Sequence, residues 1–131
     1  MVKITALYVA LHAVLLLALA VQVMLQRGKQ HVGLGDGGNE ALSRAIRVHG
    51  NAVEYVPIAL LLMLVYEINA GAVGSAALWL HGCGSLLLIS RLAHAWGLSR
   101  NSGESFGRAA GVVGTFVATG ILIVLNLVKI A

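Results

Sequence analysis

Charged residues are scarce in this sequence, and their scarcity excludes an ordinary soluble domain. Asp, Glu, Lys and Arg together make up 11% of the chain, whereas hydrophobic residues make up 59%. A soluble domain carries about a quarter charged residues. The composition therefore predicts an integral membrane protein without a soluble module, and no nucleic-acid partner is expected.

Cysteine and proline each occur once. A single cysteine excludes an intrachain disulfide, and Cys83 lies in an apolar stretch where a small packing residue is expected. The five histidines show no close ligand spacing, so no metal site is expected. Pro57 falls inside a predicted helix, where it removes the backbone hydrogen bond to the Val53 carbonyl. It is expected either to kink this helix or to be a neutral packing feature.

Four apolar stretches are present, and each can be extended or trimmed to the length of a membrane-spanning helix, about 20 residues. They run from Ile4 to Leu25, from Asn51 to Val65, from Ala70 to Ile89 and from Ala109 to Val128. The second stretch is long enough only if the polar residues before it are included, which places Arg47 and Asn51 inside the helix. The sequence thus predicts an all-α, integral membrane four-helix bundle formed by one domain, residues 1–131.

Two local patterns suggest other interpretations, which we do not favour. Ala18-Leu19-Ala20 resembles the cleavage site of a secretory signal, but the apolar stretch is longer than the roughly 7–15 residues of a signal core. The segment from Gly33 to Gly38 satisfies G-x-G-x-x-G, but a dinucleotide-binding fingerprint follows a strand rather than a membrane helix. We therefore predict a retained first helix and a flexible cytoplasmic loop, after which Asn39 caps the second helix.

Positive charge is distributed unequally between the two ends of the predicted bundle. With four spans, the termini and the turn near Asn69 to Gly74 share one end, which carries only Lys3 and Lys129. The other end carries Arg27, Lys29, Arg44, Arg100 and Arg108. The positive-inside rule places this second end in the cytoplasm. Concentrated positive charge there suits an anionic ligand, although some of these arginines are expected only to set the topology.

A polar stripe interrupts the second predicted helix. At about 100° per residue its members fall on one face of the helix. They are Arg44, Arg47, Asn51, Glu54 and Tyr55. A cation, an amide, a carboxylate and a phenol are costly to keep in lipid. When they occur together in a membrane helix, a functional site is therefore the first interpretation.

The third and fourth helices offer partners for this polar stripe. If the second and third helices form a hairpin, equal rise per residue brings Arg91 within reach of Asn51 and Glu54. We predict an Arg91–Glu54 ion pair, either within the site or as a purely structural clamp. His94 lies one turn nearer the cytoplasm, and Arg108 begins a face of small and hydroxylated residues that predicts packing or an oligomer surface. That face continues through Gly111, Thr115, Thr119 and Asn126.

These residues, in this order, resemble the MAPEG family, the membrane-associated proteins of eicosanoid and glutathione metabolism. The resemblance rests on Arg47-x-x-x-Asn51-x-x-Glu54-Tyr55-x-Pro57, followed by Arg91-x-x-His94 and Arg108. It implies a homotrimer of four-helix subunits that binds glutathione between neighbouring subunits near the cytoplasmic side. For a prokaryotic-type member it implies a multi-pass protein of the bacterial inner membrane.

The resemblance also implies a role for each polar position. The implied glutathione-binding residues are Arg27, contributed by a neighbouring subunit, and Arg47, Asn51, Glu54, Tyr55, Arg91 and His94. Arg108 matches the arginine that lies near the thiol in catalytic members, where a guanidinium favours the nucleophilic thiolate. The two carboxylates and one ammonium of glutathione are complemented by arginines and a carboxylate.

The expected function is that of a membrane glutathione transferase or peroxidase acting on lipophilic molecules that enter from the bilayer lipid. Trp96, Gly97 and Leu98 occupy the region where some family members carry a tyrosine, so a prostaglandin or leukotriene synthase is not expected. The alternative is a non-catalytic lipid- or glutathione-binding membrane protein of the same fold. A small transporter is disfavoured, because the first helix has no carboxylate and the loop arginines argue against dual topology.

Overall fold

The structure, a computed structural model, describes residues 1–100 and 106–130 and folds them into four α-helices. They are α1 (Ile4–Gln30), α2 (Glu40–Ala70), α3 (Gly74–Arg100) and α4 (Phe106–Ile130). Each is long and apolar enough to cross a bilayer. The predicted all-α architecture with four membrane spans is confirmed, and the polar stripe lies within α2.

The helix boundaries follow from local capping. The Asn39 side chain accepts a hydrogen bond from the backbone N–H of Leu42 at 2.9 Å, which confirms the predicted N-cap of α2. α2 ends at Gly71, whose N–H donates to the Glu67 carbonyl at 2.9 Å. The φ angle of Gly71 is +74°, which glycine adopts without strain. α1 ends at His31, a non-glycine residue in the left-handed region with φ +54°.

α2 and α3 form the centre of the bundle. α1 packs against both of them, and so does α4, whereas the backbones of α1 and α4 do not come close to each other within the described residues. We call the end of the bundle with the 31–39 segment the loop end, and the end with the 71–73 turn the turn end. Polar side chains on the inner faces of α2 and α3 can therefore meet partners from either outer helix.

Apolar side chains form separate core clusters along the bundle axis. The cluster at the turn end includes Tyr8, Met63, Tyr66, Leu80, Cys83 and Leu122. The cluster at the loop end includes Leu19, Val48, Ala52, Ala95 and Leu98. The first cluster contains the buried Cys83, as expected for a small packing residue. Pro57 lies inside α2, which is a continuous helix on both sides of it, and the kink stays a prediction.

Glycines bring α4 into close contact with α3. A Cβ atom added at Gly111 would lie 2.5 Å from the Cβ of His94 and 2.6 Å from the carbonyl oxygen of Ser90. Gly114 faces the Ser90 side chain just as closely. The buried part of the small-residue face of α4 is therefore a packing surface within the subunit, the first of the two predicted alternatives.

A buried carboxylate joins the start of α1 to the end of α2. Glu67 is only 3% exposed. Its carboxylate accepts hydrogen bonds from the backbone N–H groups of Lys3, Ile4 and Thr5 at 2.9, 3.0 and 2.7 Å. N–H groups in the first turn of a helix have no intrahelical acceptor, and the helix dipole favours a negative charge there. Glu67 thus caps α1 from another helix.

Candidate functional site

Arg91 lies at the centre of a polar cluster to which three helices contribute. Its Nη2 donates to Oδ1 of Asn51 on α2 at 2.7 Å and lies 3.1 Å from Nδ1 of His94 on α3. Its Nη1 donates to Oγ1 of Thr115 on α4 at 3.4 Å. Arg91 is 1% exposed, and His94 and Thr115 are also buried. We call these four residues the arginine clamp.

The predicted ion pair between Arg91 and Glu54 is wrong. Arg91 meets the Asn51 amide instead, while Oε1 of Glu54 lies 3.6 Å from Nη1 of Arg47 on the same helix. The prediction used only the depth of each residue along the bundle axis. It gave the correct depth for Arg91 but did not consider in which direction around the α2 axis each side chain points. Glu54 follows Asn51 by three residues, so its side chain points about 60° away from the Asn51 direction. The expected closeness of Arg91 to Asn51 is confirmed.

The remaining members of the polar stripe lie outside the arginine clamp. Arg47 and Glu54 each have more than half of the side chain exposed. Tyr55 is half-buried, and its ring lies against Phe116 of α4 with the ring centroids 5.6 Å apart. Arg44 pairs with Glu40 at 2.7 Å, one turn earlier on α2. The stripe therefore includes a partly buried amide, Asn51, that joins the arginine clamp, and an open pair of opposite charges, Arg47 and Glu54.

Arginine charges converge on His94. The charges of Arg47, Arg91 and Arg108 all act on this imidazole. Arg108 is exposed in the first turn of α4, and Gly111, one turn further on, packs against His94. This half of the subunit is therefore a region of positive potential, which suits a ligand with carboxylate groups.

Arg27 binds the loop of its own subunit. Its Nη1 donates to the carbonyl of Gly35 at 2.9 Å and to that of Val32 at 3.4 Å. Asp36 accepts from the N–H of Gly38 at 3.0 Å. This bond and a second from the Ser43 side chain hold the pKa of the Asp36 carboxyl below its ordinary value. The segment is a hydrogen-bonded loop beside the basic end of α1.

The glycines of this loop serve its turns. Positive φ angles occur at Gly35, Gly37 and Gly38. Glycine adopts such angles without strain, which accounts for the glycines at these three positions without a phosphate ligand. The segment connects two helices, so the strand required by a dinucleotide fingerprint does not precede it.

Two buried polar side chains were given no site role by the sequence analysis. Thr115 was assigned to packing, yet its oxygen accepts from Arg91 while its hydroxyl donates to the carbonyl of Gly111 at 2.7 Å. His12 is fully buried in α1, with Nδ1 2.8 Å from the carbonyl oxygen of Tyr8. Its position inside the first apolar stretch was the available signal, because ionisable groups in membrane helices are seldom incidental.

An apolar groove lies between α1 and α2, toward the turn end. Its volume is about 650 Å³, and its lining includes Ala6, Val9, Pro57, Leu60 and Leu61. This groove does not include the arginine clamp or the exposed pair of charges. It offers a lipophilic surface on the same subunit as the polar region.

Comparison with known proteins gives two findings. The model of the MAPEG family matches residues 5–128. The chain is 40% identical over 124 residues to the "Inner membrane protein YecN" of Escherichia coli strain K12, which covers 95% of this chain and 90% of the relative. The protein of the same name from Escherichia coli O6:H1, strain CFT073, matches with the same identity and coverage.

Proposed function

The chain belongs to the MAPEG family, and from this premise we propose that it binds glutathione and uses its thiolate to conjugate or reduce lipophilic substrates. The resemblance noted in the sequence is thereby confirmed at the level of the family. The four apolar helices and the inner membrane relative identify a multi-pass protein of the bacterial inner membrane. The observation that carries the proposal is the exposed Arg47–Glu54 pair on α2, one turn from the Asn51 amide that joins Arg91 and His94, in a membrane-spanning bundle.

The proposed ligand matches the available charges. Glutathione carries two carboxylates, which arginine recognises through charge-assisted hydrogen bonds, and one ammonium, which a carboxylate recognises. Arg47 and Glu54 present one charge of each sign on the open side of α2, 3.6 Å apart. Together with Asn51, Tyr55 and His94 they would hold the tripeptide, with Arg91 behind Asn51 and His94.

A neighbouring subunit would complete the site. Arg47 and Glu54 point away from the bundle centre inside a membrane-spanning helix, where contact with lipid would be costly. A homotrimer would cover these charges, and Arg27 at the end of α1 would approach the site from the neighbour. In this arrangement the site would open toward the cytoplasm, the side to which the loop arginines assign the loop end.

Arg108 is the proposed catalytic residue. A guanidinium beside the sulfur would lower the free energy of the thiolate relative to the thiol. In conjugation, the thiolate would attack an electrophilic carbon, form the S–C bond and expel the leaving group. In peroxide reduction, it would attack the terminal oxygen of a lipid hydroperoxide, form an S–O bond and break the O–O bond, which releases the alcohol and leaves glutathione as its sulfenic acid. A second glutathione would then react with the sulfenic acid to give the disulfide and water.

Calorimetry on the purified, detergent-solubilised protein tests the binding step. We expect glutathione to bind, and we expect Arg47→Ala and Glu54→Ala each to abolish measurable binding. Arg44→Ala is the matched control, because it removes an arginine of the same helix that pairs with Glu40 instead. No heat of binding at millimolar glutathione would contradict the proposal.

Ultraviolet absorbance separates the enzyme from the non-catalytic alternative. An enzyme of this type should show the thiolate band of bound glutathione near neutral pH, and Arg108→Ala should lose that band while still binding glutathione. Binding without a thiolate band in the unaltered protein would favour a glutathione-binding protein without catalysis.

A further inference from the structure

Arg91 contacts side chains that can each donate or accept a hydrogen bond. Because Arg91 can only donate, each of these side chains must turn an acceptor toward it. A guanidinium has N–H donors and no acceptor. Its 3.1 Å contact with Nδ1 of His94 is a hydrogen bond only if that nitrogen carries no proton. The proton of the neutral imidazole must then lie on Nε2, which becomes a donor.

The Asn51 amide is oriented in the same way. Its oxygen accepts from Arg91 at 2.7 Å, so its NH2 group, which has two N–H donors, is turned away from the guanidinium. Asn51 is only partly buried, whereas Arg91 is 1% exposed. The donors of Asn51 therefore lie on the more accessible side of the contact.

Thr115 binds Nη1, the other terminal nitrogen of the guanidinium. Its hydroxyl proton is donated to the Gly111 carbonyl at 2.7 Å, which leaves the Thr115 oxygen as the acceptor for Nη1 of Arg91. Each hydrogen bond between Arg91 and another residue of the arginine clamp is thus donated by Arg91, to side chains of α2, α3 and α4. Hydrogen bonds to residues of three helices fix the position of the buried guanidinium relative to each of these helices.

We propose that Arg91 is a positioning residue that makes Asn51 and His94 hydrogen-bond donors toward the carboxylates of glutathione, so that the site selects anionic acceptors. This inference rests on the proposed function and adds the origin of its selectivity. Arg91 does not touch the ligand itself. Its effect passes through the amide orientation of Asn51 and the tautomer of His94, which would otherwise be free to present either a donor or an acceptor.

The tautomer can be measured on the ligand-free protein. Nitrogen NMR of protein labelled with ¹⁵N-histidine, assigned with His94→Gln, should show the Nε2–H tautomer for His94. In Arg91→Met, which keeps an unbranched stem but removes the donors, the two tautomers should become mixed. An Nδ1–H tautomer in the unaltered protein would overturn the inference, even if Arg91→Met does not fold.

Ligand variants test the donor role. Asn51→Asp keeps an acceptor for Arg91 but removes the N–H donors, so the protein should remain folded while its affinity for glutathione falls about tenfold or more. For glutathione with both carboxylates esterified, the same substitution should have a much smaller effect. An equal loss for glutathione and its diester would overturn the inference, because a merely structural role of Asn51 would weaken both ligands alike.

Two substitutions at His94 test the donor role in a second way. His94→Leu should weaken glutathione binding, and His94→Gln should recover part of the loss, because its amide can accept from Arg91 and still donate. No recovery would count against the donor role. If the unaltered protein binds no glutathione, the proposed function fails together with the selectivity, whereas glutathione binding with the wrong tautomer defeats only the present inference.

Discussion

At the scale of single residues, Glu67 illustrates how much one side chain can organise in a membrane protein. Its carboxylate accepts three backbone hydrogen bonds at the start of α1, between 2.7 and 3.0 Å. These donors would otherwise be unsatisfied at the edge of the bilayer, where each unpaired backbone group carries a free-energy cost.

Replacing Glu67 by Gln should therefore destabilise the fold although it preserves the shape of the side chain. An amide has one acceptor oxygen, and its NH2 group would face backbone donors, so we expect a loss of about 1–3 kcal/mol in the free energy of unfolding. Denaturation of the detergent-solubilised protein measures this loss in the free energy of unfolding. Glu40→Gln is the control, since Glu40 forms an exposed pair with Arg44 that is worth about 0.5 kcal/mol or less. Equal effects of the two substitutions would contradict the capping role.

The residues that sequence analysis placed correctly are those whose partners are set by depth along a helix. Arg91 was expected near Asn51 from the equal rise of two antiparallel helices, and it is there. The pairing with Glu54 failed because the rotation of α2 about its axis depends on packing with α1, α3 and α4 together. Glu67 could not be anticipated either, since its partners are backbone groups more than sixty positions earlier in the chain.

At the scale of helices, the contact between α3 and α4 depends on glycine. Gly111 has no room for a Cβ atom, which would lie 2.5 Å from the Cβ of His94. Gly120, on the same helix, has nothing within 4 Å of a Cβ atom. The two positions therefore form a matched pair in which only one glycine is required by packing.

Gly111→Ala should destabilise the protein by about 1–3 kcal/mol, because α4 must move away from α3. Gly120→Ala should have no such effect and should stabilise α4 by up to about 1 kcal/mol through helix propensity. Thermal denaturation of the two variants distinguishes them. Since the displaced backbone carries His94, Gly111→Ala should also weaken glutathione binding. A stable Gly111→Ala protein would mean that the helices are not in contact at this point.

The helices themselves could be predicted because membrane spans follow from length and composition alone. The N-cap at Asn39 was also readable, since it depends on a local side chain. The assignment of the α4 face to packing or to an oligomer could not be made from small residues alone, because both uses favour the same composition. It was decided by the burial of Gly111 and Thr115 against α3 and Arg91.

At the scale of the whole molecule, the proposed shared site makes a prediction about mixtures of subunits. If Arg27 reaches the site of a neighbouring subunit, Arg27→Ala and Arg47→Ala damage different halves of each site. Both variants alone should bind glutathione poorly. When they are co-expressed with different affinity tags and the mixed oligomers are isolated, some sites should contain both arginines, and calorimetry should detect recovered binding.

Arg27 also donates to the carbonyl of Gly35 in its own loop, so its removal has a second route of action, within one subunit. The mixed oligomers separate these effects, because a defect confined to each altered subunit would persist in the mixture. Binding no better than that of the two separate variants would contradict a shared site. A monomer in solution, measured by light scattering in detergent, would contradict the proposed trimer as well.

The cap that Glu67 places on α1 has a consequence for how the chain is made. The N–H groups of Lys3, Ile4 and Thr5 are synthesised first, yet their acceptor follows at the far end of α2. During synthesis, the N–H groups at the start of α1 therefore lack this acceptor until α2 has crossed the bilayer and placed the Glu67 carboxylate on the same side. An α2 inserted in the wrong direction would place Glu67 on the opposite side of the bilayer, and the start of α1 would then lack its cap, so the cap favours the correct orientation of the first hairpin.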